Sequence, residues 1–460
     1  MTDLRDDATL GSLRSLLAGE LLTPDSPGYD DARTIFNAMI DRRPAVIVQC
    51  ARRADVALAV AFAREHGLEL AVRGGGHSVS GQALTDGGLV VDLRRMNAVS
   101  VDPEARTVTV GGGATMADLD RACRPHGLAT TGGRVSTTGV GGFVLGGGTG
   151  WLDRLFGLAC DNLVEAEVVT ADGEIVRAAE DSHPDLFWAL HGGGGNFGVV
   201  TSMTLRLHPL ERSTLGFLLW APERGPEIVR LFRDVVQAGP DTLGGGAIYL
   251  TGPEGEDFVP DELVGRLALA VVLVHAGDEA SLRSLAAPLF DAGPAGAMVA
   301  ELPYDELQAA MDDPPGYRNY WSAEHLEELP DEAVEAFCAQ AAHMIVPSAS
   351  QHVLFSMGGA IARGPRGYPI PWRHAAWVVH PFGLWTDPAD DERGMAWAHA
   401  VCAAVRPWST GAVYLNFIGD EGHSRVVSGF GTEGYTRLTA VKTRYDPANV
   451  FRRNHNIRPA

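Results

Sequence analysis

Three consecutive glycines precede a histidine in the stretch VRGGGHSVSG, residues 72–81, which follows an apolar run typical of a β-strand. Backbone without side chains beside an imidazole suits three kinds of chemistry: phosphate binding, a turn that presents a nucleophilic serine, or anchoring of a cofactor. Glycine also clusters at residues 111–113, 132–133, 139–150 and 192–198. Converging glycine-rich turns would let backbone N–H groups approach the diphosphate of a dinucleotide closely, although any single cluster is explained as well by a tight turn.

Two common glycine motifs fit the sequence less well. GGGNFG at residues 193–198 satisfies the dinucleotide-binding pattern G-x-G-x-x-G, but that pattern needs a helix after it, and VVTSMTLRLHPL has the alternation of a strand. GHSVS at residues 76–80 has Ser80 where a serine nucleophile turn needs its second glycine. The sequence therefore disfavours both a nicotinamide-binding Rossmann domain and a serine hydrolase.

Composition excludes several classes of partner. The chain is 45% hydrophobic and can bury a large core, and its length of 460 residues favours two or three folding units over one. The formal net charge of −21 repels nucleic acid and anionic membranes, so neither is expected as a partner. No stretch of about 20 residues is apolar enough to span a bilayer, and the first residues lack the signal-peptide pattern, which predicts a cytoplasmic protein. Five widely spaced cysteines without a CxxC pair predict free, mostly buried thiols and no metal site.

Hydrophobic periodicity predicts a mixed α+β chain. Strands are expected at residues 69–73, 88–93, 106–112, 164–170, 199–207, 265–274, 350–357 and 375–385. Helices are expected at residues 53–66, 115–126, 225–238, 278–290, 330–343, 388–404 and 433–444. The glycine clusters stop around residues 208–216, which we take as the first domain boundary.

Four stretches together carry a family resemblance: RGGGHSVSG, TTGGRVSTTGVGGFVLGGGTGWLDRLFGLACDNL (130–163), DLFWALHGGGGNFGVVTSMTL (185–205), and the tail YLNFIGDEG with RYDPANVFRRNHNIRP. From about residue 33 to its C terminus, the chain resembles the FAD-linked oxidases of the berberine bridge enzyme type, in the vanillyl-alcohol oxidase superfamily. The resemblance implies an FAD-binding domain of the PCMH type, with two α+β subdomains, and an inserted α+β substrate domain in which helices cover an antiparallel sheet. The FAD domain would comprise residues 1–210 and the returning segment 411–460, and the substrate domain residues 211–410.

The resemblance also places FAD against the glycine-rich stretches and the tail. The implied contacts are Arg73, Gly74, Gly75, Gly76, His77, Ser78 and Gly81; Gly133, Ser136, Thr137, Thr138, Gly139, Gly142 and Gly146; Gly195, Val199 and Val200; and Tyr414 and Asn416. Phe143 and Trp151 would border the flavin ring.

In this family, the histidine of the RGGGH motif is commonly bonded to the 8α carbon of the flavin, so the resemblance implies covalent attachment of FAD through His77. Many relatives form a second bond through a cysteine in a stretch similar to GTCxxxGVGG. That position is Val135 in GRVSTTGVGG, and Cys160 lies beyond the stretch, where a buried small hydrophobic side chain is expected. A single covalent link is therefore predicted.

The proton acceptor is harder to identify. Family alcohol oxidases often use the second tyrosine of a YxNY motif, but this chain has YLNF, with Phe417 at that position. Losing a general base typically costs about 10²–10⁴ in rate, so either another residue serves or the substrate needs none. Within SQHVLFSM, Gln351, Val353 and Phe355 share one strand face and His352 lies on the other. The catalytic candidates are Tyr414, Tyr249, Gln351 and His380, each of which is also explained as an ordinary residue of the core or sheet.

The resemblance implies an FAD-dependent oxidase that takes two electrons from a small organic substrate, a secondary metabolite or heterocycle, with O₂ as acceptor giving H₂O₂. Phe417 favours an amine, which loses hydride from its neutral form without a strong base. The close alternative is oxidation or oxygenation of a hydroxylated polyketide-like intermediate with an oxygenated flavin. An alternative of another class is a non-catalytic flavin-binding protein. The oligomeric state is not predicted.

Overall fold

The first sheet positions the RGGGH motif. The structure is a computed structural model that describes residues 7–313 and 315–460. Its N-terminal elements are α1 (Asp7–Leu16), β1 (Glu20–Leu22), α2 (Tyr29–Arg33), β2 (Val46–Gln49), α3 (Arg53–Glu65), β3 (Leu70–Arg73) and β4 (Leu89–Asp92). The strands form a sheet in the order β1-β2-β4-β3, in which β2 and β3 each pair in parallel with β4. Because β3 ends at Arg73, the three glycines and His77 leave the sheet at the carboxyl end of a parallel strand.

A second, antiparallel sheet carries the other glycine-rich stretches on its connections. Its elements are β5 (Val99–Asp102), β6 (Thr107–Gly111), α4 (Met116–Cys123), β7 (Leu128–Ala129), α5 (Val140–Leu145), α6 (Asp153–Phe156), β8 (Leu163–Val169), β9 (Ile175–Ala179), α7 (Pro184–Ala189), β10 (Val199–Arg206) and β11 (His208–Pro209). Five strands pair in the order β5-β6-β10-β8-β9, while β7 pairs with β11. The glycines of residues 139–150 lie within α5 and on both sides of it, and those of residues 192–198 lead directly into β10.

The third sheet has eight antiparallel strands. Its elements are β12 (Ser213–Trp220), α8 (Gly225–Ala238), β13 (Leu243–Thr251), β14 (Leu267–His275), α9 (Glu279–Leu285), α10 (Ala287–Asp291), β15 (Gly296–Leu302), α11 (Tyr304–Ala309), β16 (Arg318–Trp321), β17 (Glu324–Leu326), α12 (Asp331–Ala339), β18 (Gln351–Ser356), α13 (Gly359–Arg363), β19 (Trp377–Trp385) and α14 (Asp391–Val405). The order is β15-β12-β14-β13-β18-β19-β16, and β17 also pairs with β19. Helices α8, α12 and α14 cover one face, and the opposite face turns towards the glycine-rich stretches.

The predicted α+β class is confirmed. The five-stranded sheet ends with β10 at Arg206, and the eight-stranded sheet begins with β12 at Ser213. The division into residues 1–210, 211–410 and 411–460 stays a prediction. The single helix expected at residues 278–290 is wrong, because the structure has two helices that meet at Ala286, and Pro288 lacks the N–H that a continuous helix needs. The helix expected at residues 115–126 ends at Cys123, shortly before Pro125. Within the described residues, no helix is long and apolar enough to cross a membrane.

The C-terminal segment returns to the second sheet through α15 (His423–Phe430) and α16 (Thr432–Tyr445). Lys442, the sole lysine in the sequence, is fully buried at the end of α16. Its Nζ donates to Asp446 Oδ2 at 2.6 Å, to the Asn196 carbonyl at 2.7 Å and to the Phe451 carbonyl at 2.9 Å. The ammonium therefore joins α16, the tail and the turn that precedes β10.

Replacement of Lys442 by methionine is expected to lower the free energy of unfolding by about 3–5 kcal/mol, because the substitution leaves Asp446 buried without its countercharge. Urea denaturation followed by circular dichroism would measure the change. Arg444→Met is the matched control: Arg444 belongs to the same helix and pairs with Asp185, but its side chain is 65% exposed. That surface pair should contribute at most about 1 kcal/mol. Equal losses in the two variants would contradict the assignment of Lys442 as the anchor of the tail.

Candidate active site

A cavity lies between the glycine-rich stretches and the open face of the eight-stranded sheet. One wall consists of residues 74–79, parts of 133–151, and residues 192–196 and 198–200. The opposite wall is formed by alternate residues of β13, β18 and β19, namely Ile248, Val353, Phe355, His380 and Phe382. The C-terminal tail contributes Tyr414 to Ile418 and Arg453 to His455. The fold thus brings three stretches that are far apart in sequence to one site.

The glycine-rich turns leave room for an extended ligand. Gly75 and Gly139 lie so close that a β-carbon on either residue would come within 2.3 Å of the backbone nitrogen of the other. At Gly142 and Gly195, in contrast, a β-carbon would meet no atom within 4 Å. The first pair needs glycine for close packing of two turns, while the other two expose bare backbone to open space. This arrangement matches a cradle in which backbone groups contact a dinucleotide directly.

His77 lies on the wall of this cradle. Its Nε2 is 2.8 Å from Thr137 Oγ1, and its Nδ1 is 3.5 Å from Thr138 Oγ1. Phe36 stacks on the imidazole, with a distance of 4.2 Å between ring centroids and an angle of 20°. One edge of the ring is open to the cavity, but the protein packed around it lowers the pKa of His77 to about 4 by desolvation. The imidazole is therefore neutral near pH 7 and retains a nitrogen lone pair, as covalent attachment requires.

The tail adds polar atoms that lack hydrogen-bond partners among the described residues. These buried atoms are Arg453 Nε, whose ion-pair partner Glu69 Oε2 lies 3.8 Å away, and Asn454 Oδ1. The side-chain amide of Asn454 donates to the Gly195 carbonyl at 3.2 Å, which holds the tail against the cradle. Buried polar groups are normally hydrogen-bonded. These orphaned atoms, together with the open glycines, fit a bound dinucleotide such as the expected FAD.

Tyr414 and Asn416 form a fixed pair beside α5. Tyr414 Oη accepts hydrogen bonds from the Gly148 backbone N–H at 3.1 Å and from Asn416 Nδ2 at 2.9 Å. Two donors on one oxygen leave the phenolic hydrogen as a donor of its own. Burial raises the pKa of Tyr414 above its usual value, although these two hydrogen bonds oppose the shift. Tyr414 therefore offers a hydrogen-bond donor to the cavity near pH 7 and no base.

His380 lines the opposite wall, with a defined tautomer. Its Nδ1 is 2.8 Å from the Ser322 carbonyl oxygen, which can only accept, so Nδ1 carries the proton. Burial lowers the pKa of His380 to about 4, which leaves Nε2 with a free lone pair near neutral pH. The ring stacks on Phe417, with centroids 4.1 Å apart and an angle of 9°. The phenylalanine in the YLNF motif thus supports an imidazole that can accept a proton.

The predicted faces of β18 are confirmed. Gln351, Val353 and Phe355 line the cavity, and His352 lies on the covered face, where its Nε2 is 2.8 Å from the Phe337 carbonyl oxygen. Tyr249 also lies on the covered face, where it packs on Phe337 and His352. Its candidacy as a catalytic residue is therefore corrected: adjacent strand residues point to opposite faces, and Ile248 takes the cavity side.

Four predicted cofactor contacts do not line the cavity: Arg73, Gly81, Ser136 and Thr137. Each makes contacts within the protein instead. Arg73 donates to the carbonyls of Ala32 and Thr34 behind the RGGGH turn. Gly81 has a φ of 70° in a turn packed on Ile40. The side-chain hydroxyl and backbone N–H of Ser136 donate to Asp312, and Thr137 contacts His77. These residues position the cradle; they do not form its surface.

The other predicted cofactor residues line the cavity: Gly74, Gly75, Gly76, His77, Ser78, Gly133, Thr138, Gly139, Gly142, Gly146, Gly195, Val199, Val200, Tyr414 and Asn416. Phe143, Trp151 and Val135 line it too. Cys160 is fully buried and does not line the cavity, as expected of a small hydrophobic residue. Within the described ranges, no group of three or more histidine, cysteine or acidic residues could hold a metal ion.

Sequence reasoning missed several lining residues: Arg134, Asp313, Trp321, Phe382, Arg453, Asn454 and His455. The tail residues belong to the RRNHN stretch that carried the family resemblance, so a signal was present for them. Arg134 lies over the Phe355 ring, with its guanidinium carbon 3.9 Å from the centroid, and donates to the Gly150 carbonyl at 2.9 Å. Nothing in the local sequence indicates that placement, because Phe355 is more than 200 residues away.

Two family models match the sequence. An FAD binding domain matches residues 44–179, and a model described as berberine and berberine-like matches residues 413–458. Among curated proteins, the chain is 32% identical over 457 residues to the (R)-6-hydroxynicotine oxidase of Paenarthrobacter nicotinovorans, covering 96% of this chain and 97% of that one. It is 30% identical over 456 residues to an uncharacterised FAD-linked oxidoreductase of Bacillus subtilis, covering 97% and 98%.

Solved structures have the same fold. The crystal structure of 6-hydroxy-D-nicotine oxidase from Arthrobacter nicotinovorans matches with a TM-score of 0.85 at 29% identity, covering 96% of this chain and 98% of that one. A berberine bridge enzyme-like protein of Physcomitrella patens matches with a TM-score of 0.87 at 22% identity, covering 98% and 99%. At that identity the second match bears on the fold alone.

Proposed function

Because this chain belongs to the berberine bridge enzyme-like family of FAD-linked oxidoreductases, we propose that it is an oxidase with FAD bonded covalently to His77. Its substrate is a small organic molecule, a secondary metabolite or heterocycle, and O₂ is the electron acceptor that yields H₂O₂. One observation carries the proposal: a neutral imidazole lies on the wall of a glycine-lined cradle that faces an aromatic-lined wall of the eight-stranded sheet.

The cradle and the tail would hold the cofactor. Gly142 and Gly195 offer bare backbone, and Arg453 and Asn454 offer buried polar atoms to the nucleotide. Thr137 lies within hydrogen-bond distance of His77 Nε2 and fixes the orientation of the ring. With Val135 at the second attachment position, the link is single. Bound FAD would supply the two-electron acceptor that no side chain can provide.

The wall opposite the cradle would hold the substrate. This part of the cavity is largely aromatic, because it is lined by Phe355, Phe382, Trp321 and Phe417. His380 Nε2 is the best-placed proton acceptor, since its tautomer is fixed by the Ser322 carbonyl and no described residue donates to Nε2. Tyr414 donates a hydrogen bond and orients the substrate, because its oxygen already accepts two.

Assays on the purified protein distinguish the proposed oxidase from the two alternatives, an oxygenase and a non-catalytic flavin-binding protein. Anaerobic photoreduction of the purified protein should bleach its visible flavin absorbance, and admitting air should restore it with one H₂O₂ per flavin. The first substrates to test would be benzylamine, benzyl alcohol and 6-hydroxynicotine. The name of one relative contains the last of these compounds. Incorporation of label from ¹⁸O₂ into a polyketide-like product would favour the oxygenase instead. A flavin that no substrate reduces would favour the non-catalytic binding protein. The cytoplasmic location stays a prediction from the sequence.

A further inference from the structure

One carboxylate lines the cavity among the residues that the structure describes, and it belongs to Asp313. Asp313 follows α11 in the connection to β16, and its neighbours on the cavity wall include Met311 and Gln351. The same wall carries the rings of Trp321, Phe382 and Phe417. An acidic group thus lies on a wall that is largely apolar and aromatic.

Two contacts hold Asp313 in place. Gln351, on β18, donates from Nε2 to Asp313 Oδ1 at 3.3 Å. The preceding residue, Asp312, accepts from the Ser136 backbone N–H at 2.6 Å and from the Ser136 hydroxyl. The loop is therefore fastened both to the eight-stranded sheet and to the glycine-rich stretch of the cradle. Consequently, the carboxyl group of Asp313 lies where the two walls of the cavity approach each other.

The carboxyl group lacks a countercharge. Among the described residues, no arginine, lysine or histidine forms an ion pair with Asp313. Desolvation, together with the nearby Asp312, raises the pKa of Asp313 to about 7. The cationic residue on the cavity wall closest to the sheet, Arg134, is already engaged by Asp153 at 3.5 Å and by the Gly150 carbonyl. An unpaired carboxylate in a poorly hydrated site is costly, so a cationic ligand would be favoured there over a neutral one.

The surrounding rings favour the same ligand chemistry. Aromatic faces attract cations electrostatically, and the attraction is strongest in desolvated sites. An anionic substrate would meet the like charge of Asp313. A neutral alcohol would gain only a hydrogen bond from it.

We propose that Asp313 binds the protonated nitrogen of a cationic amine as it enters the cavity and thereby selects amines over neutral alcohols of similar shape. The nitrogen proton then passes to His380, because only the neutral amine loses hydride. The inference rests on the proposed function, because it names the substrate class of the same cavity. Gln351 acts as a positioning residue that orients the carboxylate. Asp313 is the specificity-determining contact.

Calorimetric titration of the flavin-containing protein with benzyltrimethylammonium, a permanent cation, tests the proposal without turnover. The wild-type protein should bind this probe at least about tenfold more tightly at pH 8.5 than at pH 5.5, because a carboxyl group with a pKa of about 7 ionises between them. Asp313→Asn should lose that preference and bind the cation equally weakly at pH 8.5 and at pH 5.5. Benzyl alcohol should bind the two proteins equally.

Other titrating groups do not mimic this result. His77, His380 and His455 have pKa values of about 4, below the tested range. The usual pKa of a tyrosine already lies above the tested range, and burial raises the pKa of Tyr414 further. Asp153, beside Arg134, has a pKa of about 6, but it remains intact in Asp313→Asn. Asp312→Asn is the matched control, because its Oδ1 can still accept from the Ser136 backbone N–H and hold the loop. It should keep tight cation binding at pH 8.5 and move the midpoint to lower pH, because it removes the like charge beside Asp313.

Equal affinity of Asp313→Asn and wild type for benzyltrimethylammonium at pH 8.5 would overturn the inference, as would an equal loss of benzyl alcohol binding. Flavin content and photoreduction are measured on the same samples. If those remain normal while cation selectivity is absent, only the inference fails. If the protein contains no flavin, the proposed function fails.

Discussion

His380→Asn is expected to lower the rate of anaerobic flavin reduction by about 10²–10⁴, the usual cost of losing a general base. The asparagine amide can still donate to the Ser322 carbonyl as Nδ1 does, but it removes the Nε2 lone pair that faces the cavity. The flavin should remain bound, because His380 lies on the sheet wall and does not belong to the cradle. Stopped-flow absorbance with whichever amine or alcohol reduces the wild-type protein would measure the change.

The pH dependence gives the same prediction a second readout. Burial lowers the pKa of His380 to about 4, so the neutral, basic form prevails above that value and is lost as the pH falls through it. The wild-type rate should therefore show an acid limb near pH 4, provided the protein stays folded there. His380→Asn should lack that limb.

His352→Asn is the matched control for His380. His352 is fully buried and also has a pKa lowered to about 4, but it lies on the covered face of β18 and bonds the Phe337 carbonyl. Its replacement should change stability more than the reduction rate. If His380→Asn reduced its flavin as fast as the wild type did, His380 would not be the proton acceptor, and Phe417 would mark a reaction that needs none.

His77→Ala is expected to abolish covalent attachment of the flavin completely. His77 is the one histidine in the RGGGH motif, its ring is open to the cavity, and desolvation keeps it neutral and nucleophilic. After precipitation with acid, the wild-type pellet should be yellow, whereas the variant pellet should be colourless and its flavin should remain in the supernatant. Absorbance of both fractions would measure the change.

Cys160→Ala controls for attachment at another position. Cys160 is fully buried away from the cavity, and burial raises the pKa of its thiol well above the usual value, so it does not form the reactive thiolate. Its replacement should leave the pellet yellow. A colourless Cys160→Ala pellet, or a yellow His77→Ala pellet, would contradict the assignment.

Local patterns carried much of the fold and of the cofactor end of the site. The alternation of β18 correctly assigned Gln351 and Phe355 to one face, because side-chain direction along a strand repeats every two residues. The glycine clusters indicated a cradle for the same reason that Gly75 and Gly139 need glycine: two backbones approach within the space of a side chain. Strand β13 was not predicted, because three consecutive glycines, Gly244 to Gly246, interrupt the alternation of side chains that marks a strand.

The substrate end depended on contacts between residues far apart in sequence. The register that pairs Val353 with His380, and the stacking of His380 on Phe417, are set by the assembled sheet and the returning tail. Tyr249 illustrates the opposite case. Its residue type suits a flavin-facing pocket, but the one-residue offset from Ile248 directs it into the covered core. The sequence did not indicate Asp313, because its place on the cavity wall depends on long-range contacts. Ser136 holds the loop after α11 through Asp312, and Gln351 holds it through Asp313.

The most direct test of the central claim is mass spectrometry of a tryptic digest of the denatured wild-type protein. Trypsin cleaves after Arg73 and Arg94, so the RGGGH glycines and His77 fall in the peptide of residues 74–94. His77 is the one histidine in that peptide. That peptide should be heavier by the mass of one FAD, and its fragmentation should place the added mass on His77. The account would be contradicted if no peptide carried FAD, or if the added mass lay on residues 155–177, which contain Cys160.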